Sequence, residues 1–233
     1  MFAVELPEPP WRSPARRTVK QPLSRERVVR TALDLLDREG LDAVSMRRVA
    51  QALDTGAASL YAYVSGKDEL RELMFDAVLG EVDLPEPDPA RWADQVRDLL
   101  RGQLRVMLAH PGIAQVAWAT MVPVGPNALR HGEALIALLR AGGLDEKRAA
   151  FAFDTLALYT KAFAYEGTVW ASGEMSQEEA AARGRQTEEY MRSLPPEVFP
   201  NMLAVGRYFS GQTAAERFEF TLDVFLSGLA HSS

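Results

Sequence analysis

Residues 45–67 read SMRRVAQALDTGAASLYAYVSGK. Ser45 is a helix-capping residue set just before a short run in which Met46, Val49, Ala50 and Leu53 share one face, the spacing of a half-buried helix. The run breaks at Asp54-Thr55-Gly56 and resumes as a second short helix, ASLYAYV, with Leu60 and Val64 pointing inward. Two short helices joined by a tight turn make a helix-turn-helix, whose second element enters the major groove of DNA. Asp54 lies in this break, and Asp tolerates a left-handed backbone.

Working outward, RERVVRTALDLLDREG places Val28, Ala32, Leu35 and Leu36 on one face and stops at Gly40. It supplies the first helix of a three-helix head over residues 23–75. Ser65-Gly-Lys-Asp68 reads as a capping box that opens a longer helix through Val82. Upstream, residues 1–22 hold five prolines and no periodicity, with Arg12, Arg16, Arg17 and Lys20 among them. They read as a flexible basic arm. Downstream, Asp88 and Pro89 open a helix that runs to His110, and Pro111-Gly112 ends it. Further helices are predicted over 113–121, 127–141, 146–171, 177–193 and 214–229, with Asp145, Ser176 and Thr213 as caps. No stretch alternates with period two. The predicted class is all-α: an N-terminal helix-turn-helix domain followed by a larger helical domain over residues 76–233.

Charge divides along the same boundary. The chain of 233 residues carries a net charge of −6. Yet Arg12 to Arg71 holds twelve Lys and Arg against eight Asp and Glu, whereas Glu72 onward holds fourteen against twenty-two. A basic head on an acidic body is the signature of a polyanion-binding module joined to something with another task. The absence of cysteine excludes disulfides, thiol nucleophiles and thiolate metal sites. No apolar run approaches the ~20 residues of a membrane span, and the opening residues lack the pattern of an export signal. The expected location is cytoplasmic. With three histidines and no phosphate loop, HExxH or GxSxG pattern, no catalytic residues, metal or cofactor are expected.

The segment ASLYAYVSGKDEL, together with the capped helix SMRRVAQAL, resembles the tetracycline-repressor (TetR) family of transcriptional regulators. The resemblance is specific over roughly residues 24–75 and implies a homodimeric repressor that binds double-stranded operator DNA and is released by a small-molecule effector. It implies DNA contacts from Arg47, Ala57, Ala58, Ser59, Tyr61, Tyr63 and Lys67. Arg47 suits a guanine edge or a phosphate, the alanines suit thymine methyls, and Tyr61 and Lys67 suit phosphates. Arg16 and Arg17 of the arm suit an adjacent minor groove.

In the body, Trp118, Met121, Tyr159, Phe163, Tyr165, Glu166 and Trp170 mix aromatic walls with a few polar groups, the composition of a ligand site. Glu166 stands out, because a carboxylate in an apolar stretch must be paired or solvated. The resemblance also implies that helices 146–171 and 214–229 form the dimer seam. Phe218, Leu222, Phe225 and Leu229 are the expected contact stripe, facing Phe153 and Leu156 and the small residues Ala149, Ala150 and Ala152. The alternative from another class is a helical ligand-binding or scaffold protein that does not bind DNA.

Overall fold

The computed structural model describes residues 22–110, 112–120, 122–171, 177–208 and 214–231, and among them every regular element is helical. The head comprises α1 (Arg25–Glu39), α2 (Met46–Ala52), α3 (Ala57–Leu60) and α4 (Lys67–Leu79), with a 3-10 turn over Leu41–Ala43 between α1 and α2. The body comprises α5 (Trp92–Ala109), α6 (Ile113–Ala119), α7 (Pro126–Ala141), α8 (Glu146–Ala171), α9 (Gln177–Arg192), α10 (Pro200–Val205) and α11 (Ala214–His231).

Local chemistry starts these helices where it should. Ser24 Oγ accepts the Arg27 N–H and Ser45 Oγ accepts the Arg48 N–H, each at 3.2 Å. Asp145 Oδ1 accepts the Arg148 N–H at 2.8 Å at the head of α8. All three satisfy donors that the first turn leaves without an intrahelical partner. The faces follow: Val28, Ala32, Leu35 and Leu36 are buried on α1, as are Val49, Ala50 and Leu53 from α2 and its C-terminal cap.

Several boundaries differ from the sequence reading. α3 covers only Ala57–Leu60, because the N–H groups of Tyr63 and Val64 both return to the Leu60 carbonyl, at 2.9 and 3.0 Å, and tighten the chain into a turn. At the start of α4 the cap is Gly66, and the reaching carboxylate belongs to Glu69, not Asp68; Glu69 Oε2 accepts the Ser65 N–H at 2.5 Å. Hydrogen bonding by Ser65, its side chain foremost and its N–H next, holds the Glu69 carboxyl below its ordinary range. α4 ends at Leu79 rather than Val82. α5 begins at Trp92, since Asp88 forms a separate turn by accepting the Ala90 N–H on its side chain and the Arg91 N–H on its carbonyl. α10 was not foreseen, because six residues after a Pro-Pro pair are too few to show a period. Ser176 and Thr213 lie outside the described residues.

A continuous apolar core runs from Val28 and Leu36 in the head, through Met74 and Val78 on α4, to Leu99, Leu138, Leu156 and Leu222 in the body. α8 is the central helix of the body, packed by α5, α6 and α7.

The apolar stripe of α11 faces inward, which corrects the residues expected to make the contact stripe between copies. Phe218 and Leu222 are buried within the same chain, Phe225 and Leu229 are half-buried against the core, and Leu156, Ala149 and Ala152 on α8 are buried as well. The faces left open are Phe151 and Leu158 on α8 and Phe220 and Val224 on α11, each at least half exposed. A helix apolar on two sides has one stripe for its own core and one for another surface. Periodicity alone does not say which is which.

Candidate nucleic-acid interface

The turn between α2 and α3 closes through Asp54, whose φ of 50° is the one positive value at a non-glycine position among the described residues. The Thr55 N–H then returns to the Ala50 carbonyl at 3.0 Å. An α2–α3 pair so fixed is held onto the head by Leu60 and Val64, 0% and 1% exposed. Arg47, Ala58, Ser59, Tyr61 and Lys67 are left with their side chains in solvent, and Ala57 is half-buried. Tyr63 departs from its expected place on the exposed face: it is half-buried and packed against the core. Its carbonyl accepts a hydrogen bond from Arg25 Nε at 3.0 Å.

The adjacent arginines of α2 have different tasks. Arg48 is bound to Glu39 of α1 and to Gln51 one turn on. Arg47 has no hydrogen-bond or ion-pair partner among the described residues and is exposed. Its guanidinium is therefore available for an external acceptor. Arg25, at the start of α1, is held by its bond to the Tyr63 carbonyl and by Glu69, whose Oε1 lies 3.8 Å from its Nη2, with 57% of the Arg25 side chain exposed. Arg16 and Arg17 lie outside the described residues.

The expected ligand residues fall into two groups on different faces of α8. Trp118 of α6 stacks on Tyr165, with ring centroids 6.2 Å apart and 14° between planes, and is itself 51% exposed. On another face, Tyr159 and Phe163 pack around Phe218 of α11, with centroids 5.5 and 5.0 Å from it, and Tyr159 Oη donates to Thr221 Oγ1 at 2.9 Å. Arg217 lies over the Phe163 ring and pairs with Glu166 at 2.5 Å. Glu166 is thus both exposed and paired, and it needs no ligand to offset its charge. Met121 lies outside the described residues, as does the side chain of Trp170. Two open clefts, of about 490 and 300 Å³, lie instead beside Asp98 and Arg101 on α5 and between α4 and α6. Neither is lined by the aromatic residues named above.

Residues 28–74 match the family model described as "Bacterial regulatory proteins, tetR family", and residues 84–232 match that of the "Tetracyclin repressor-like, C-terminal domain". The chain belongs to the TetR family of transcriptional regulators. The regulator is 35% identical over 179 residues to an HTH-type transcriptional regulator of Saccharopolyspora erythraea, spanning 76% of this chain and 74% of that one. To the HTH-type transcriptional repressor DrrR1 of Streptomyces coeruleorubidus it is 34% identical over 198 residues, 82% and 68% of the two chains. The crystal structure of Streptomyces coelicolor ActR in complex with actinorhodin superposes with a TM-score of 0.81 at 44% identity, covering 89% of this chain and 95% of that one. The two family segments are separated by the later turns of α4 and the stretch after it, where the regulator's head passes into its body. Among the described residues no helix is long and apolar enough to cross a membrane.

Proposed function

We propose that this regulator is a cytoplasmic homodimeric repressor whose two heads enter successive major grooves of a two-fold operator and leave it when a small aromatic effector occupies the body. The division taken is an arm over residues 1–22, a DNA-binding domain over 23–75 and a ligand-binding and dimerisation domain over 76–233. The observation that carries the reading is the exposed Arg47, without a hydrogen-bond or ion-pair partner among the described residues, in the same head as the exposed Ser59, Tyr61 and Lys67, a head whose inner residues are buried. Such a surface supplies a base-reading arginine together with phosphate contacts. A basic arm carrying Arg12, Arg16, Arg17 and Lys20 suits a neighbouring minor groove.

Two heads must stand ~34–36 Å apart to reach adjacent major grooves on one face of the duplex. The open face formed by Phe151, Leu158, Phe220 and Val224 is the proposed seam between copies, at α8 and α11. In support of an effector, the similar ActR has been crystallised with actinorhodin and with (S)-DNPA. Of the aromatic side chains, the stacked pair Trp118 and Tyr165, with Trp118 half exposed, suits a flat ring system, whereas Tyr159 and Phe163 are packed on Phe218. Release follows only if the effector binds one head arrangement better than the other.

The test is fluorescence anisotropy of the duplex upstream of the regulator's own gene, titrated across a salt series and then with actinorhodin. Binding that weakens linearly with log salt, exceeds that to scrambled duplex and reverses on ligand addition supports the reading. A dimer with no preference over scrambled DNA would move the protein to the scaffold class.

A further inference from the structure

The polar groups that α4 buries against the body have partners, with one exception. Asp76 Oδ1 accepts the Ala128 N–H of α7 at 2.9 Å, and Asn127 Nδ2 donates to the Asp76 carbonyl at 3.0 Å. His131 Nε2 lies 2.8 Å from the Leu79 carbonyl, which only accepts, so this nitrogen carries the proton. The exception is Arg71. Among the described residues its Nε is the one buried side-chain nitrogen or oxygen without a hydrogen-bond partner. Nor does any carboxylate of the described residues pair with its guanidinium. A buried donor with no acceptor is costly, and in folded proteins such a group has a reason.

Arg71 lines the open cleft of about 300 Å³ between α4 and α6. Three carboxylates of α4 share that wall, and they differ in what they are free to do. Glu69 Oε2 already accepts the Ser65 N–H at 2.5 Å, and Glu72 Oε1 accepts the Val124 N–H in a long contact of 3.3 Å. Asp68 is exposed and has no hydrogen-bond or ion-pair partner among the described residues. It stands three residues before Arg71, a spacing at which opposite charges on a helix commonly pair, yet these two do not. The α6 wall is different. Val116 and Ala119 give it an uncharged apolar surface, and Thr120 Oγ1, which donates to the Val116 carbonyl at 3.0 Å, keeps lone pairs to accept with.

We propose that the α4–α6 cleft is a binding site for a free amino acid with an apolar side chain, its carboxylate on Arg71 and its ammonium on Asp68. A guanidinium only donates and a carboxylate only accepts, so a ligand that satisfies both must carry an acceptor and a donor side by side. A simple anion would suit Arg71, whose fork matches a carboxylate, but it would meet the three carboxylates of the same wall. A simple cation would suit those and leave the buried Nε unmet. The zwitterion serves both, Glu72 and Thr120 supply further acceptors for its ammonium, and its side chain lies on Val116 and Ala119. The volume is at the lower end for ligand sites, which fits a molecule of this size. The site is apart from the aromatic residues of the body, and it does not rest on the repressor reading.

The experiment needs no DNA. Isothermal titration of the full-length chain compares L-phenylalanine with 3-phenylpropanoate, which lacks the ammonium, and with 2-phenylethylamine, which lacks the carboxylate. L-Phenylalanine should bind saturably, and each analogue about tenfold or more weakly, because each leaves one charged group of the cleft without its partner. Arg71→Met keeps the length of the side chain and removes a charge that has no partner in the fold. It should abolish binding while melting at or above the parent temperature. Ala119→Leu, at an exposed position of α6, should fill the cleft and abolish binding with the fold intact. The absence of saturable L-phenylalanine binding would overturn the site, and so would equal binding of either analogue. Retention of binding in both Arg71→Met and Ala119→Leu would place the amino acid elsewhere and overturn it as well. A lowered melting temperature in Arg71→Met would show that the guanidinium serves the fold, against the proposal.

Discussion

Arg48 and Glu39 form a two-pronged ion pair, with Arg48 Nη2 2.8 Å from one carboxylate oxygen of Glu39 and 3.1 Å from the other. The pair ties the start of α2 to the end of α1, and it separates the tasks of two arginines that adjoin in sequence. Arg47→Ala should weaken binding to the preferred duplex by ~1–3 kcal/mol and leave the melting temperature unchanged. Arg48→Ala should do the converse. Its pair is about 40% exposed, so the stability lost is at most ~1 kcal/mol. Equal DNA affinity of Arg47→Ala and the parent at physiological salt would remove Arg47 from the interface.

Gly125 is expected to tolerate no side chain. Gly125→Ala places a methyl against the Asp76 carboxylate and should cost ~1–3 kcal/mol by forcing α7 away from α4. Denaturant titration checks this; a midpoint equal to the parent's would mean that the α4–α7 junction yields freely.

Stability should depend on pH through His131. Burial, the largest influence, pushes the ring below its ordinary pKa, although the Leu79 bond and the Asp76 charge pull the other way. The unfolded chain therefore binds the proton more readily than the folded one. Stability is then complete above the free-histidine value of about 6.5 and declines as the pH falls below it. His131→Gln should melt with a shallower dependence than the parent between about pH 7.5 and 5.5. Parallel curves would assign the acid sensitivity to carboxylates elsewhere.

Two phenylalanines of α11, two residues apart, should behave oppositely. Phe218 is 2% exposed in the aromatic cluster with Tyr159 and Phe163, and Phe218→Ala should cost ~3–5 kcal/mol of stability. Phe220 is 69% exposed. Phe220→Glu should leave the fold intact and shift the protein from dimer to monomer in light scattering, with operator binding lost alongside, because one head makes half the phosphate contacts. A Phe220→Glu dimer of parental affinity would place the seam on another face.

The head was legible because its determinants are local. A serine before an apolar-periodic run, an aspartate able to take φ of 50° and an inward pair at Leu60 and Val64 each act within a few residues. Such short-range rules can be read from spacing. The clearest errors there were also local, since Glu69 rather than Asp68 made the capping contact once the chain turned after Leu60. The body was legible only as helices. Its aromatic residues were rightly found on α6 and α8, but whether they face one another is set by packing between segments far apart in sequence. Trp118 meets Tyr165, while Tyr159 and Phe163 turn toward α11.

By itself, then, the sequence determined the helical class, the helix-turn-helix, the charge division between head and body, and the family resemblance, all of which rest on period, capping and composition. The tertiary structure decided which of the two apolar faces of α11 is core, that Glu166 has Arg217 for a partner, and that Asp76, Asn127 and His131 lock α4 to α7. Those outcomes depend on contacts between residues some 50 to 60 apart in the chain. A periodic pattern records that a face is buried; the partner that buries it is fixed only when the helices pack.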